Sequence, residues 1–257
     1  MKRRDFLKQT AVFVAGASVS ISALDFIAPG EILAANPALR WGFLVNTYKC
    51  VGCGFCVKAC KIENDIPLEA NVTRTWVERY VIKNDGGVVM DSPRGALEGF
   101  TSPIQDQGLS GKVLVPDRDV AQAFFVPKLC NHCATPACVQ VCPVGATYQT
   151  GDGVVLVDRT WCIACGYCIM GCPYGVRFFH PVEHVADKCT FCYHRISNGG
   201  NTVCAQACPF GARQIGNLKD PDDPVTRIVM NERVGVLRDE YGTKPQVFYL
   251  GLNKEVR

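Results

Sequence analysis

Sixteen cysteines in four clumps of four constrain this 257-residue chain more than any other feature. The clumps are Cys50, Cys53, Cys56 and Cys60; Cys130, Cys133, Cys138 and Cys142; Cys162, Cys165, Cys168 and Cys172; and Cys189, Cys192, Cys204 and Cys208, with none left over. So many cysteines mean cross-links or metal. Spacing separates the two. Tightly spaced C-x2-C pairs close only strained disulfides. Structural zinc takes such pairs two at a time, often with histidines at matching spacing. Here a third thiol follows two residues after the pair in the first and third clumps, and the four histidines stand at no ligand spacing.

The third clump with Pro173 reads C-x2-C-x2-C-x3-C-P. That run holds cubane [4Fe–4S] clusters in bacterial ferredoxins, and its fourth cysteine ligates the other cluster of a pair. Three thiolates on one loop wrap one cube. The fourth, expected at the start of a helix pointing away, reaches a second, so that two motifs interlock. The first clump has the same 2-2-3 spacing but ends in Lys61 instead of proline. The second is 2-4-3, widened by Ala134 to Ala137, and the fourth is 2-11-3, with Tyr193 to Val203 inserted. Three of the four continue Cys-Pro-x-Gly, at Cys142, Cys172 and Cys208. This is an internal repeat: one unit of cysteine loop, short helix and hairpin, used several times. The cofactor expectation is four [4Fe–4S] clusters on all sixteen cysteines.

The N-terminus bears on the same question. Lys2-Arg3-Arg4-Asp5-Phe6-Leu7-Lys8 resembles the twin-arginine export motif. An apolar stretch from Ala11 to Leu24 follows, short for a membrane span, and Ala34-Ala35 offers a cleavage region, leaving removal or retention as an anchor both open. The twin-arginine route exports folded proteins. It therefore suits clusters built in a reducing cytoplasm and argues against disulfides. The expected location is periplasmic, with peripheral membrane association through a partner.

Between and around the motifs the chain reads as short strands. Trp41 to Val45 leads into the first motif. Val-rich runs at 72–81, 86–90 and 113–115 are separated by Gly, Pro and Asp turns, and Ala123 to Val126 feeds the second motif. Ala146 to Thr150 and Val154 to Val157 flank Gly151-Asp152-Gly153 as a hairpin. After the fourth motif, Pro221 to Pro224 breaks the chain, Val225 to Tyr241 reads as helical, and Gln246 to Leu250 as extended.

Charged residues add two expectations. Lys49 and Lys188 directly precede cysteines, and Lys128 stands two before Cys130. A cube with four thiolates carries about −2, so a cation beside it raises its potential, although these lysines equally suit plain loop solvation. His132 beside Cys133 reads as a surface or packing residue before a cluster-tuning one, and His180, His184 and His194 as structural. A formal net charge of +3 does not indicate a nucleic-acid partner. No catalytic triad, nucleotide loop or carboxylate pair is present, so no catalytic residue is assigned.

Four motifs in this order and spacing resemble the four-cluster electron-transfer subunit of the dimethyl sulfoxide reductase superfamily, of the polysulfide, thiosulfate and tetrathionate reductase kind. Cys138-Val139-Gln140-Val141-Cys142-Pro143-Val144-Gly145-Ala146-Thr147 and Asp187-Lys188-Cys189-Thr190-Phe191-Cys192 carry the resemblance, which covers about residues 40–216. The ending Lys244 to Leu250 is similar to that of members acting on sulfur compounds.

The resemblance implies an α+β fold of two nested bacterial-ferredoxin-like modules, to which the residues themselves add a β-rich insertion, longer than in some relatives, and a C-terminal tail. Its divisions are a signal segment at 1–35, a first module at 36–60 and 181–216, an insertion at 61–120, a second module at 121–180 and a docking tail at 217–257. It implies four ligand sets: Cys50, Cys53, Cys56 and Cys208 for cluster 1; Cys60, Cys189, Cys192 and Cys204 for cluster 2; Cys130, Cys133, Cys138 and Cys172 for cluster 3; Cys142, Cys162, Cys165 and Cys168 for cluster 4. It further implies a non-catalytic relay between a molybdopterin-containing catalytic subunit and a quinone-binding integral membrane subunit. The alternative is an independent periplasmic polyferredoxin carrying electrons between soluble partners.

Overall fold

Three apolar residues in a row, Phe43, Leu44 and Val45, are buried in β1 (Trp41–Asn46), the strand that delivers the chain into the first cysteine motif. A run buried on both faces needs cover on both sides and partners on both edges. The computed structural model, which describes residues 38–106 and 113–256, supplies both. The segment at 1–35, expected to be an export signal, lies outside the described residues.

After β1 come α1 (Phe55–Glu63), β2 (Thr75–Lys83), β3 (Val88–Asp91), β4 (Gln105–Asp106), β5 (Val113–Leu114) and β6 (Val120–Leu129). Next are α2 (Ala137–Gln140), β7 (Thr147–Gln149), β8 (Val155–Val157), α3 (Tyr167–Met170), β9 (Phe178–Phe179) and β10 (Ala186–Asp187). The chain ends through α4 (Tyr193–Ile196), α5 (Val203–Gln206), β11 (Arg213–Asn217), α6 (Pro224–Asn231), β12 (Val234–Gly235) and β13 (Val247–Leu250).

The largest sheet runs β11-β1-β13-β12. β1 pairs antiparallel with β11, Phe43 opposite Ile215 and Val45 opposite Arg213, and parallel with β13, Phe43 opposite Val247. The strand entering the first motif thus lies beside the strand leaving the fourth. The expected hairpin is present as β7 and β8, Thr147 opposite Val157. Within 61–120 the expected strands appear as β2, β3 and β5, and β2 pairs with β6 along its whole length. One core joins these sheets: Phe43, Val57, Val77, Val126, Leu129, Phe191, Val247 and Tyr249 pack together, each no more than 1% exposed.

Two expectations are corrected. The fourth cysteine of a motif does not begin a helix. Cys142, Cys172 and Cys208 each follow a one-turn helix, and Cys60 lies inside α1. The spacing explains it, because C-x3-C is one helical turn and sets the third and fourth thiols on one face. Proline after the fourth cysteine cannot continue the helix and clashes with it, so α2, α3 and α5 stop after four residues. Lys61 imposes no such stop and α1 runs for nine. The second correction concerns Val225 to Tyr241. The helix ends at Asn231, and β12 and a 3-10 turn at Asp239–Tyr241 follow. The extended run expected in the tail is β13, a central strand whose Val247 and Tyr249 are 0% exposed between β1 and β12.

Candidate cluster-binding sites

Each motif opens with C-x2-C, and in all four the residue just before the second cysteine has a left-handed backbone: Gly52 (φ 71°), His132 (42°), Ala164 (54°) and Phe191 (53°). Three of these are not glycine, so the loops hold the conformation at a cost of order 1–3 kcal/mol each. The turn folds the chain back so that successive thiols face a common point. Gly54 and Gly166 repeat the device at the entry to α1 and α3, with φ of 77° and 79°. A methyl group on Gly54 would run into the Ala96 carbonyl oxygen.

The loops draw the sixteen thiols into groups that cross the motif boundaries. One cavity of about 280 Å³ is lined by Cys60, Cys189, Cys192 and Cys204, with Phe43, Arg74 and Phe191. A second of about 350 Å³ is lined by Cys130, Cys133, Cys138 and Cys172. A third of about 290 Å³ is lined by Cys142, Cys162, Cys165 and Cys168. Each takes three thiols from one motif and one from another. The remaining four, Cys50, Cys53, Cys56 and Cys208, come from the first and fourth motifs. They are neighbours nonetheless: Cys50 lies within electrostatic reach of Cys53 and Cys208, and Cys56 within reach of Cys50 and Cys53. No group of three or more His, Cys, Asp or Glu side chains among the described residues is arranged to hold a single metal ion.

The donor set fits cubane clusters. Soft thiols surround each space. Backbone amides point at sulfur as they do around iron–sulfur centres: Thr147 N donates to Cys142 Sγ at 3.4 Å, Phe191 N to Cys189 Sγ at 3.4 Å and Ala212 N to Cys208 Sγ at 3.3 Å. Burial pushes the Cys56, Cys133 and Cys192 thiols up to about 11, and the Cys60 thiol well above its ordinary value. Iron binding must therefore carry the deprotonation of these thiols with it.

Buried cations surround the thiols. Lys188 is 1% exposed, and its ammonium donates to the carbonyls of Val155 and, at 2.8 Å, Cys189. Arg177 Nη2 donates to Cys138 Sγ at 3.0 Å and Nη1 to Thr147 Oγ1 at 3.3 Å. Arg213 Nη1 donates to Thr75 Oγ1 at 2.8 Å, while its Nη2 is buried without a hydrogen-bond partner. Burial alone would lower the pKa of both arginines; the facing thiolates outweigh it and hold them raised. Arg74 differs, since Asp187 clasps it through both carboxylate oxygens at 2.9 Å. It also donates to Asn64, whose side chain reaches Cys60 Sγ at 3.5 Å.

Of the lysines singled out in sequence, Lys49 is exposed, Lys128 is buried in an ion pair with Glu78 at 2.6 Å, and Lys188 lies among the cysteines. His132 is fully buried and stacks on Phe191 at 3.7 Å between ring centroids, a packing residue rather than a surface one. Burial drives its pKa well down, and its Nδ1 accepts from Val155 N at 3.0 Å. His180 Nδ1 accepts from Val182 and Glu183 amides, and His194 pairs with Glu63. Sequence reasoning does not single out Arg74, Arg177 or Arg213. A signal exists for two of them: Arg177 and Arg213 each stand five residues after the fourth cysteine, in Cys-Pro-x-Gly-x-Arg.

Two family models, each described as a 4Fe-4S dicluster domain, match residues 49–146 and 121–218. The chain is 37% identical to the B subunit of tetrathionate reductase from Salmonella typhimurium over 98% of its length and 88% of that protein's. It is 32% identical to a putative dimethyl sulfoxide reductase iron-sulfur subunit from Halobacterium salinarum, covering 82% of this chain and 79% of the other. It is also 32% identical to Protein NrfC of Escherichia coli, covering 96% and 93%.

Proposed function

Because this chain belongs to the iron–sulfur subunits of the dimethyl sulfoxide reductase superfamily, we propose that it relays electrons through four [4Fe–4S] clusters inside a respiratory oxidoreductase. The ligand sets are Cys50, Cys53, Cys56 and Cys208; Cys60, Cys189, Cys192 and Cys204; Cys130, Cys133, Cys138 and Cys172; and Cys142, Cys162, Cys165 and Cys168. The observation that carries this reading is the set of three cavities, each walled by four cysteines with one contributed by a different motif. Bound clusters supply one-electron chemistry. The chain itself supplies thiolates, amides and buried cations that hold them in place.

The sites follow one another. Cys56 of site 1 lies within electrostatic reach of Cys204 of site 2, and Cys189 of site 2 within reach of Cys130 of site 3. Arg177 reaches both Cys138 of site 3 and Cys168 of site 4. Apolar surface gathers at the two ends of this series: Tyr48, Val51 and Phe55 beside the first motif, and Trp161, Ile163, Tyr167 and Met170 around the third, all about half exposed or more. Such patches mark interaction sites. They suit a molybdopterin-containing catalytic subunit at one end and a quinone-binding integral membrane subunit at the other. No helix of the described residues is long and apolar enough to cross a membrane, so membrane contact falls to a partner in this reading. The Arg3-Arg4 motif supports export of the folded chain to the periplasm. Sulfur compounds are the proposed substrate class of the complex, on the similarity to the tetrathionate reductase relative.

Anaerobic affinity purification of the full chain from membranes of the cells that make it tests the assignment. A molybdopterin-containing subunit and an integral membrane subunit co-purify, and a quinol analogue reduces the clusters in that complex. A cluster-loaded chain that elutes alone overturns the complex and favours the independent carrier.

A further inference from the structure

Three buried cations that touch the cluster sites have no carboxylate partner among the described residues: Arg177, Lys188 and Arg213, each 5% exposed or less. The other buried cations are accounted for. Arg74 is paired with Asp187 and Lys128 with Glu78, while Lys61 donates to the carbonyls of Leu68 and Ala70, which line none of the cysteine cavities. An uncompensated charge in a protein interior is costly, and buried charges are paired or face a metal centre. Three such charges in one small protein require anionic counterparts.

Their hydrogen bonds say where the counterparts belong. Lys188 binds the carbonyl of Cys189, which lines the site 2 cavity, and that of Val155, which lines site 3. Arg177 binds Cys138 in site 3 and Thr147, which lines site 4. Arg213 binds Thr75, which lines site 2, and lies within electrostatic reach of Cys50 and Cys56 of site 1. Each cation therefore stands at one junction of the series: Arg213 between sites 1 and 2, Lys188 between 2 and 3, Arg177 between 3 and 4.

We propose that these three residues are shared counterions, one between each successive pair of clusters, and that each raises the potential of the two clusters it separates. The inference rests on the four-cluster reading above. A cube gains one electron from the neighbour on one side and gives it to the neighbour on the other, its charge with four thiolates passing from about −2 to about −3 and back. A fixed cation favours the more negative state. Placed at a junction it acts on both cubes together, so changing that residue moves both potentials in the same direction.

Lys188 gives the cleanest test, because its ammonium bonds to carbonyls and not to sulfur. Redox titration followed by electron paramagnetic resonance is run on anaerobically purified wild-type, Lys188→Met and Lys188→Arg proteins of matched iron content. In Lys188→Met two of the four clusters become harder to reduce, each by at least about tenfold in equilibrium constant, or about 59 mV for a one-electron couple. Lys188→Arg leaves all four near wild type. Unchanged potentials in Lys188→Met, or a shift in one cluster only, overturn the proposal while leaving the cluster reading intact. Wild-type protein without clusters overturns the cluster reading itself. Should Lys188→Met fail to retain iron, Arg177→Met carries the test: two clusters shift in support, and four unchanged potentials overturn it.

Discussion

Cys60 sits in α1 among residues of the first motif, yet it shares a cavity with Cys189, Cys192 and Cys204, more than a hundred residues away in sequence. Counting clumps would assign it to its own motif; the structure draws it to another. The distinction has a consequence. Cys60→Ser should perturb the same cluster signal as Cys204→Ser and leave intact the one lost in Cys53→Ser. The signals are compared by electron paramagnetic resonance of the reduced proteins, and a Cys60→Ser spectrum matching Cys53→Ser would break the crossed assignment. At this scale the sequence is informative about thiols and poor about charges. Spacing alone groups cysteines into ferredoxin-type loops. Lys188 is visible there only as a neighbour of Cys189. Whether a lysine beside a cysteine is buried depends on tertiary packing, and Lys49 and Lys188 go opposite ways.

Local pattern serves the elements well where it is strong. The hairpin around Gly151-Asp152-Gly153 and the strand before the first motif follow from β-prone runs and turn residues, and both are present. Pattern fails where a partner distant in sequence decides the outcome. Val247 to Leu250 is extended and apolar by sequence, but nothing in it says that it lies beside β1, with Val45 opposite Tyr249. That placement changes what a truncation does. Removing residues 246–257 strips Phe43 and Val45 of their parallel neighbour and exposes the core that Val247 and Tyr249 fill. Losing buried side chains of this size costs several kcal/mol, comparable to the whole stability of many domains. The truncated chain should therefore lose iron and unfold at lower temperature. Iron content and melting temperature equal to those of the full chain would show that β13 is dispensable, as a free docking tail would be. The long α1 carries a similar lesson. Without proline after Cys60 the helix continues, and it buries Lys61, whose ammonium donates to the carbonyls of Leu68 and Ala70 at 3.3 and 2.5 Å.

In the arrangement we propose, four interlocked sites form a series across the molecule, with buried cations at the junctions and apolar surface at both ends. Its charge balance turns on what the sites hold. The sequence alone gives +3, while four cubes of about −2 each make the loaded protein acidic. In that arrangement the same balance links stability to loading, since Arg177, Lys188 and Arg213 have no carboxylate partner among the described residues and would find their anions in the cubes. Anaerobic analysis of iron, acid-labile sulfide and zinc in the purified full chain tests this account most directly. It predicts about sixteen iron and sixteen sulfide per chain, with zinc near zero. About eight iron, or zinc in place of iron, would contradict it.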